Sequence, residues 1–180
     1  MHDDRTIIVI GSGLAAYSFV REFRKLDSDT PVLIISQDDG HSYSKPMLST
    51  GFTKNKSADD LSMADPGKMA VQLKASIRNF STVTKIESDK ARIFIGDEVI
   101  AYSKLVLALG AKANKLNFPG SSHPNVISIN DLMDYRNFRS TLKPNQHVLI
   151  MGAGLIGCEY ANDLLNGGYS VTVVDPAKTA

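Results

Sequence analysis

Gly11–Ala16 reads GSGLAA and Gly152–Gly157 reads GAGLIG, and each follows a short β-branched run, Thr6–Ile10 in the first case and His147–Met151 in the second. In such a fingerprint the first glycine permits a tight turn out of a strand and the second lets the backbone approach a pyrophosphate. The third small residue lets the following helix pack close to the sheet. The pyrophosphate then rests on the helix N-terminus. Two matches, both between strand and helix, point to two dinucleotides in one chain.

Working outward from the first motif, Ala16, Phe19, Phe23 and Leu26 recur at helical spacing, so a helix with these on its apolar face is expected. After the break DSDTP, Val32–Ile35 reads as a second buried strand, which completes a βαβ crossover. The stretch from Gln37 to Asp65 is polar, with a short helix expected at Lys45-Pro46, because proline suits a first helical position. Asp65 is placed to cap another short helix that opens at Pro66 and runs to Leu73. Val83–Ile86, Ile93–Ile95 and Val99–Ala101 read as a small antiparallel meander, with a turn at Gly96-Asp97. Leu105–Leu109 is apolar throughout and is expected to be a strand buried on both faces that rejoins the main sheet.

The linker ANKLNFPGSSHPN separates that strand from Val126–Ile129, and a domain boundary is expected near Ala113. The expected domains are residues 1–113 and 114–180, one for each dinucleotide. Asn130 is the expected cap of a helix with Leu132, Tyr135, Phe138 and Leu142 on one face, ended by Lys143-Pro144. The second unit then runs from His147–Met151, through a helix presenting Gly157, Ala161 and Leu164 and stopping at Gly167-Gly168, to the strand Val171–Val174. A strand, helix and strand alone have only part of the sheet they must bury themselves against, so this second domain is expected to be truncated. The fold class is α/β: a Rossmann-like three-layer domain with a β-meander, followed by the start of a second Rossmann-like domain.

Composition narrows the function classes. Twenty basic against nineteen acidic residues leave a net charge of +1, which provides no overall field toward nucleic acid or a membrane surface. The apolar runs are too short to span a bilayer, and MHDDRTIIVI lacks a secretory core, so a cytoplasmic location is expected. Cys158 is the single cysteine, which excludes an intramolecular dithiol pair; it is expected to be a buried small apolar residue.

The backbone amides of Ser12, Gly13, Leu14 and Ala15, with Gly11 making the turn, are placed to surround the first pyrophosphate. A ribose contact about 20 residues past the glycines falls at Ser36, at the tip of the second strand, where an acid would be usual. Ser36 and Gln37 can hydrogen-bond a ribose or adenine, and Asp38 is the nearest carboxylate; Asp38 and Asp39 equally suit a solvated turn. In the second unit Gly152, Gly154 and Gly157 form the loop, and Asp175 ends the strand where a carboxylate accepts ribose hydroxyls and repels a 2′-phosphate. That choice predicts NAD over NADP. The bland alternative is an exposed strand-end aspartate before Pro176.

SYSKPMLSTGFTKNK from Ser42 to Lys56, LVLALGA from Leu105 to Ala111, INDLMDYRNFR from Ile129 to Arg139, and GAGLIGCEYANDL from Gly152 to Leu164 resemble the rubredoxin reductases. These are two-dinucleotide flavoprotein reductases whose FAD domain is interrupted by an NAD domain. The resemblance implies that NADH gives a hydride to FAD and that electrons pass singly to rubredoxin, a small iron protein, in some bacteria for an alkane hydroxylase. It also implies that Lys45 and Glu159 lie near the isoalloxazine ring and could orient each other, and that the Val83 backbone contacts the adenine end of FAD. By residue type alone, Lys45 and Glu159 are surface charges and Val83 is an ordinary meander residue. The redox cysteine pair of the disulfide reductase branch has no counterpart in KPMLSTGF. The family chain continues for roughly as long again, through a Gly-Asp motif on the flavin ribitol and an interface domain. Two readings compete: a ferredoxin reductase of an oxygenase system, and a nucleotide-binding fragment without activity. Oligomeric state is not specified by these residues.

Overall fold

The structure, a computed structural model, describes residues 6–114 and 116–177. In chain order its elements are β1 (Ile7–Ile10), α1 (Leu14–Leu26), β2 (Val32–Ile35), β3 (Ser42–Tyr43), a 3-10 turn (Lys45–Thr50), α2 (Ala58–Leu61), β4 (Ser62–Ala64), α3 (Pro66–Leu73), β5 (Ser76–Arg78), β6 (Lys85–Glu87), β7 (Arg92–Ile95), β8 (Glu98–Ala101), β9 (Lys104–Leu107), α4 (Leu132–Thr141), β10 (His147–Met151), α5 (Leu155–Asn166) and β11 (Ser170–Val174). They divide into two compact units, one through Tyr43 plus Ser62–Lys112, the other Ser44–Leu61 plus the chain from Ala113 onward. The expectation of one division near Ala113 is corrected in this respect: Ser44–Leu61 packs with the second unit. The expected linker residue Lys115, the start of the N-terminal stretch and the last three residues lie outside the described residues.

The first unit is built on four strands in the order β5-β2-β1-β9, parallel throughout. Successive side chains of a strand face opposite sides of the sheet. Ile7, Val9, Val32 and Ile34 accordingly pack against Ala16, Tyr17 and Val20 of α1 and Met69 and Leu73 of α3. Ile8, Ile10, Leu33 and Ile35 face the other way, onto Ile93 and Ile100 of the antiparallel meander β6-β7-β8. Helices, sheet and meander make three layers, so β1 and β2 are buried along their whole length. Pro66 opens α3, and the Asp65 side chain accepts from Lys68 N, as the sequence predicts.

Two readings of the apolar pattern are corrected here. Leu26 is 90% exposed, because α1 ends at that residue and its buried stripe runs through Ala16, Tyr17 and Val20. Strand β9 joins β1, but it is an edge strand of the sheet. Leu107 and Leu109 are therefore exposed, and Leu105 is only packed against the rim of the meander core.

The second unit holds the parallel pair β10-β11, with α5 as the crossover between them. Helix α4 is capped by Asp131, whose side chain accepts from Asp134 N, in place of the expected Asn130. Tyr135, Leu132 and Leu164 are buried, and Phe52 meets Tyr135, Phe138 and Tyr169 edge-on at 5.6–5.8 Å. Edge-on pairs align the positive ring edge with a negative face. Gly167 caps α5, where a Cβ would lie 2.9 Å from that of Phe52.

Candidate functional site

Each glycine loop leaves its sheet by the same hydrogen bond: Gly11 N donates to Ile35 O at 2.7 Å, and Gly152 N donates to Val174 O at 2.8 Å. Ser36 and Asp175, which follow those two carbonyls, therefore occupy equivalent places. Gly11 has φ +115°, and a Cβ there would stand 2.1 Å from Ala108 O, so the turn and the close strand both require glycine. Ala16, the third small residue, is fully buried against the sheet. At Gly157, its counterpart, even a methyl would stand 2.0 Å from Gly152 O.

The middle glycines behave in the opposite way. A Cβ on Gly13 or on Gly154 would meet nothing within 4 Å. Both are exposed, as are Leu14 and Ala15, at the first turn of α1. The backbone at each helix start is thus open to a ligand of the size and charge of a pyrophosphate, the group that helix N-termini favour.

Beside the first loop lies a polar cluster. Ser12 Oγ donates to Asp38 Oδ1 at 2.8 Å and lies 2.7 Å from Ser36 Oγ, which also donates to Asp38 Oδ1. Gly40 N donates to the same oxygen at 3.0 Å. The carboxylate missing from the tip of β2 is supplied two residues later and turned back onto the loop. Gln37 is exposed beside it. Tyr17 OH donates to Gly40 O, and burial, reinforced by Asp38 and Asp39, raises its pKa far above the usual phenol value. Ser81 N donates to Ser36 O and Phe80 N to Asp38 O, which draws the chain leading to Val83 alongside this cluster. Val83 itself precedes β6, where the sequence predicts a strand residue, and it packs half-buried against the meander core.

In the second loop the carboxylate acts through main chain. Ala153 N donates to Asp175 Oδ2 at 2.7 Å and Ala177 N to Oδ1 at 2.8 Å, and these bonds hold the Asp175 pKa below the ordinary carboxylate value. Two acceptor positions per carboxylate remain beyond those bonds. Asp175 thus stands beside the loop, tied to its main chain through Ala153.

Lys45 and Glu159 do not orient each other. Lys45 Nζ donates to Asn130 Oδ1 at 2.8 Å, and Glu159 Oε2 accepts from Ser49 Oγ at 2.8 Å. One turn further along α5, the buried Asp163 accepts from Phe52 N at 2.9 Å and Thr53 N at 2.7 Å. Ser49 and Asp163 were not singled out in the sequence, although Glu159 and Asp163 stand four residues apart, on one helix face. Cys158 is exposed, contrary to expectation, with Sγ 3.3 Å from Ala153 O. The packed face of α5 is taken by Asp163 and Leu164, and Cys158 falls off it. Among the described residues no helix is long and apolar enough to cross a membrane.

Two strand, glycine turn, helix and strand units, each open above its middle glycine and each with a carboxylate tied to the loop, define a two-dinucleotide α/β protein. A rubredoxin-NAD(+) reductase of Alcanivorax borkumensis is 49% identical over 170 residues, covering 94% of this chain and 44% of that protein. One from Acinetobacter baylyi is 42% identical over 175 residues, covering 94% and 44%. Among solved structures, a ferredoxin reductase from Rhodopseudomonas palustris superposes with a TM-score of 0.85 at 25% identity, across 97% of this chain and 43% of that one. The chain spans less than half the length of these relatives. It belongs to the pyridine nucleotide-disulphide oxidoreductase family, whose model matches residues 5–180.

Proposed function

We propose that the chain carries the dinucleotide sites of an FAD-dependent oxidoreductase that passes electrons from NADH to rubredoxin. The observation that carries this reading is the duplicated loop: the same exit bond, the same open space over Gly13 and Gly154, and a carboxylate fastened to each loop. The residues of the first unit fit FAD. The amides of Ser12, Gly13, Leu14 and Ala15 would hold its pyrophosphate, while the Ser36–Asp38 cluster presents hydroxyl and carboxylate groups to a ribose diol. Gln37 and the Val83 backbone would face the adenine.

Gly152, Gly154 and Gly157 would hold the pyrophosphate of NADH, and Asp175 its adenosine ribose. Asp175 is held ionised by two main-chain N–H groups, so a 2′-phosphate would meet a fixed negative charge. FAD, when bound, supplies the exchange between a hydride donor and a one-electron iron acceptor. Lys45 and Glu159 are assigned to the flavin end on the strength of the family resemblance. Their part is electrostatic, a cation held by Asn130 and an anion held by Ser49. Supply of an alkane hydroxylase is the finest part of the proposal.

The test is spectroscopic. The purified chain is incubated with FAD, freed of excess, and titrated anaerobically with NADH; flavin absorbance that bleaches supports the reading. A chain that retains no flavin favours the fragment without activity. The likeness to the Rhodopseudomonas palustris protein supports a second acceptor, so rubredoxin and a [2Fe–2S] ferredoxin are compared as oxidants of the reduced protein. A clear ferredoxin preference overturns the rubredoxin assignment.

A further inference from the structure

The segment Lys45–Lys56 is a loop by composition, yet it is among the most heavily tied stretches of the second unit. Helix α5 grips it along its length. Glu159 takes the Ser49 hydroxyl, Asp163 takes the amides of Phe52 and Thr53, and the Phe52 Cβ lies against Gly167 at the helix end. Helix α4 completes the hold: Tyr135 OH donates to Lys56 O at 2.9 Å, and Arg139 donates to Asn55 Oδ1 at 3.0 Å while lying 4.8 Å from the Phe52 ring centroid. Of these ties only Asp163 is a fully buried charge, 1% exposed, and both its oxygens are spent on main-chain N–H groups. A charge is buried only where it is thoroughly hydrogen-bonded. Both of these bonds go to the segment, so the cost of desolvating Asp163 is met by that segment.

We propose that Asp163 is the positioning residue of the Lys45–Thr53 segment. By fixing the amides of Phe52 and Thr53, it sets the register in which Ser49 meets Glu159 and from which Lys45 extends. Its bearing on the flavin rests on the function proposed above; the positioning itself does not. The reasoning is local. Phe52 and Thr53 follow the six-residue 3-10 helix Lys45–Thr50, so a shift at their amides is transmitted through that short helix to Ser49 and Lys45. Asparagine at position 163 keeps the shape of the side chain but turns an N–H toward one of the two amides, where no hydrogen bond can form.

The experiment is hydrogen exchange on the whole chain, without flavin. In the wild type, the amides of Phe52 and Thr53 should be protected to the level of the α5 amides around Asp163. In Asp163→Asn, exchange at those two amides should accelerate roughly tenfold or more, the consequence of one lost bond to a charged group. Strands β10 and β11 should stay as protected as before. Wild-type exchange at Phe52 and Thr53 far faster than in α5, or no acceleration in the variant, overturns the proposal; the wild-type measurement decides it even should the variant fail to fold. The flavin-loaded chain gives a readout that a purely structural role would not move. Asp163→Asn and Lys45→Ala should shift the visible flavin band in the same direction, and the double variant should add nothing. Additive shifts, or none from Asp163→Asn, overturn the positioning role. Failure of the wild type to take up FAD defeats the proposed function instead, and leaves exchange to judge Asp163.

Discussion

Replacing Gly11 or Gly13 with alanine separates the two tasks of one loop. A Cβ at Gly11 would lie 2.1 Å from Ala108 O, where ordinary contact begins near 3.4 Å, so the carbonyl must retreat by more than an ångström. Ala108 N donates to Ile10 O at 2.8 Å at the end of the β1–β9 ladder, and a retreat of the Ala108 main chain puts that bond at risk. Losing it costs about 1 kcal/mol. Holding a non-glycine residue at φ +115° costs roughly 1–3 kcal/mol more. With some loss of edge packing, Gly11→Ala should destabilise the first unit by about 3–5 kcal/mol, a large part of the typical 5–15 kcal/mol of a domain. At Gly13, φ is −77° and the added methyl meets nothing. Alanine there loses a little as an N-cap and gains a comparable amount by restricting the unfolded chain, a net within about 1 kcal/mol. The methyl would nevertheless occupy the space assigned to the pyrophosphate. Urea unfolding followed by far-ultraviolet circular dichroism, with FAD binding measured in parallel, should show Gly11→Ala weak in stability. Gly13→Ala should be stable but roughly tenfold or more poorer in FAD affinity, the effect of about 1.4 kcal/mol. Equal stability of the two variants, or unimpaired FAD binding by Gly13→Ala, refutes the reasoning.

Glu87 is held to a pKa of about 2 by hydrogen bonds first from Lys85 and then from Arg92, below its ordinary 4.5. A depressed folded-state pKa gives stability that is present above about pH 4.5 and lost as pH falls through about 2. Thermal melting between pH 6 and pH 2 should therefore show less acid sensitivity in Glu87→Gln, and identical profiles would remove Glu87 from the account. Asp65→Ala deletes the side-chain bond to Lys68 N at 2.8 Å and should lower the midpoint of a denaturant titration. Asp175→Ala should weaken NADH binding roughly tenfold and narrow the preference over NADPH, because it removes a charge-assisted acceptor; an unchanged ratio of the two affinities argues against the ribose assignment. Gly157→Ala should destabilise the second unit although alanine favours helices by about 1 kcal/mol, because its methyl strikes Gly152 O. A variant that melts above the wild type would contradict this.

The buried strands β1 and β2, the glycine turns, the Asp65 cap and the meander were legible because each is decided by neighbours within a few residues. Errors arose where a partner distant in sequence decides the outcome. Leu105–Leu109 has the apolar run of a central strand, but its exposure depends on its place at the edge, which no local pattern encodes. Cys158 is exposed because the contacts of α5 fall on a different face, and those contacts come from residues about 110 positions earlier. The same separation hid the allegiance of Ser44–Leu61. Its polar, punctuated sequence reads as a loop of the first domain, while its backbone amides answer to a carboxylate in α5. Asp163 escaped notice because a mid-helix aspartate between asparagine and leucine looks solvated, and only the amides of Phe52 and Thr53 reveal why it is buried.

The two loops also show one requirement met by different atoms. After the shared exit bond, the second unit places its acid at once, and Asp175 ties to the main chain of Ala153. The first unit puts Ser36 in that place, and Asp38 must reach back; a serine hydroxyl at loop position two, Ser12, meets it where Ala153 offers only an amide. The pairing of residues therefore matters more than either alone. An alanine at position 12 would leave Asp38 one donor short in a part-buried cluster, whereas serine at position 153 would add nothing that Asp175 lacks. Ser12→Ala should accordingly loosen the β2 tip and weaken FAD retention, while Ala153→Ser leaves NADH binding unaltered. Loss of nucleotide binding in the second variant alone would show that the loops are alike in backbone but that their acids are not interchangeable parts of one design.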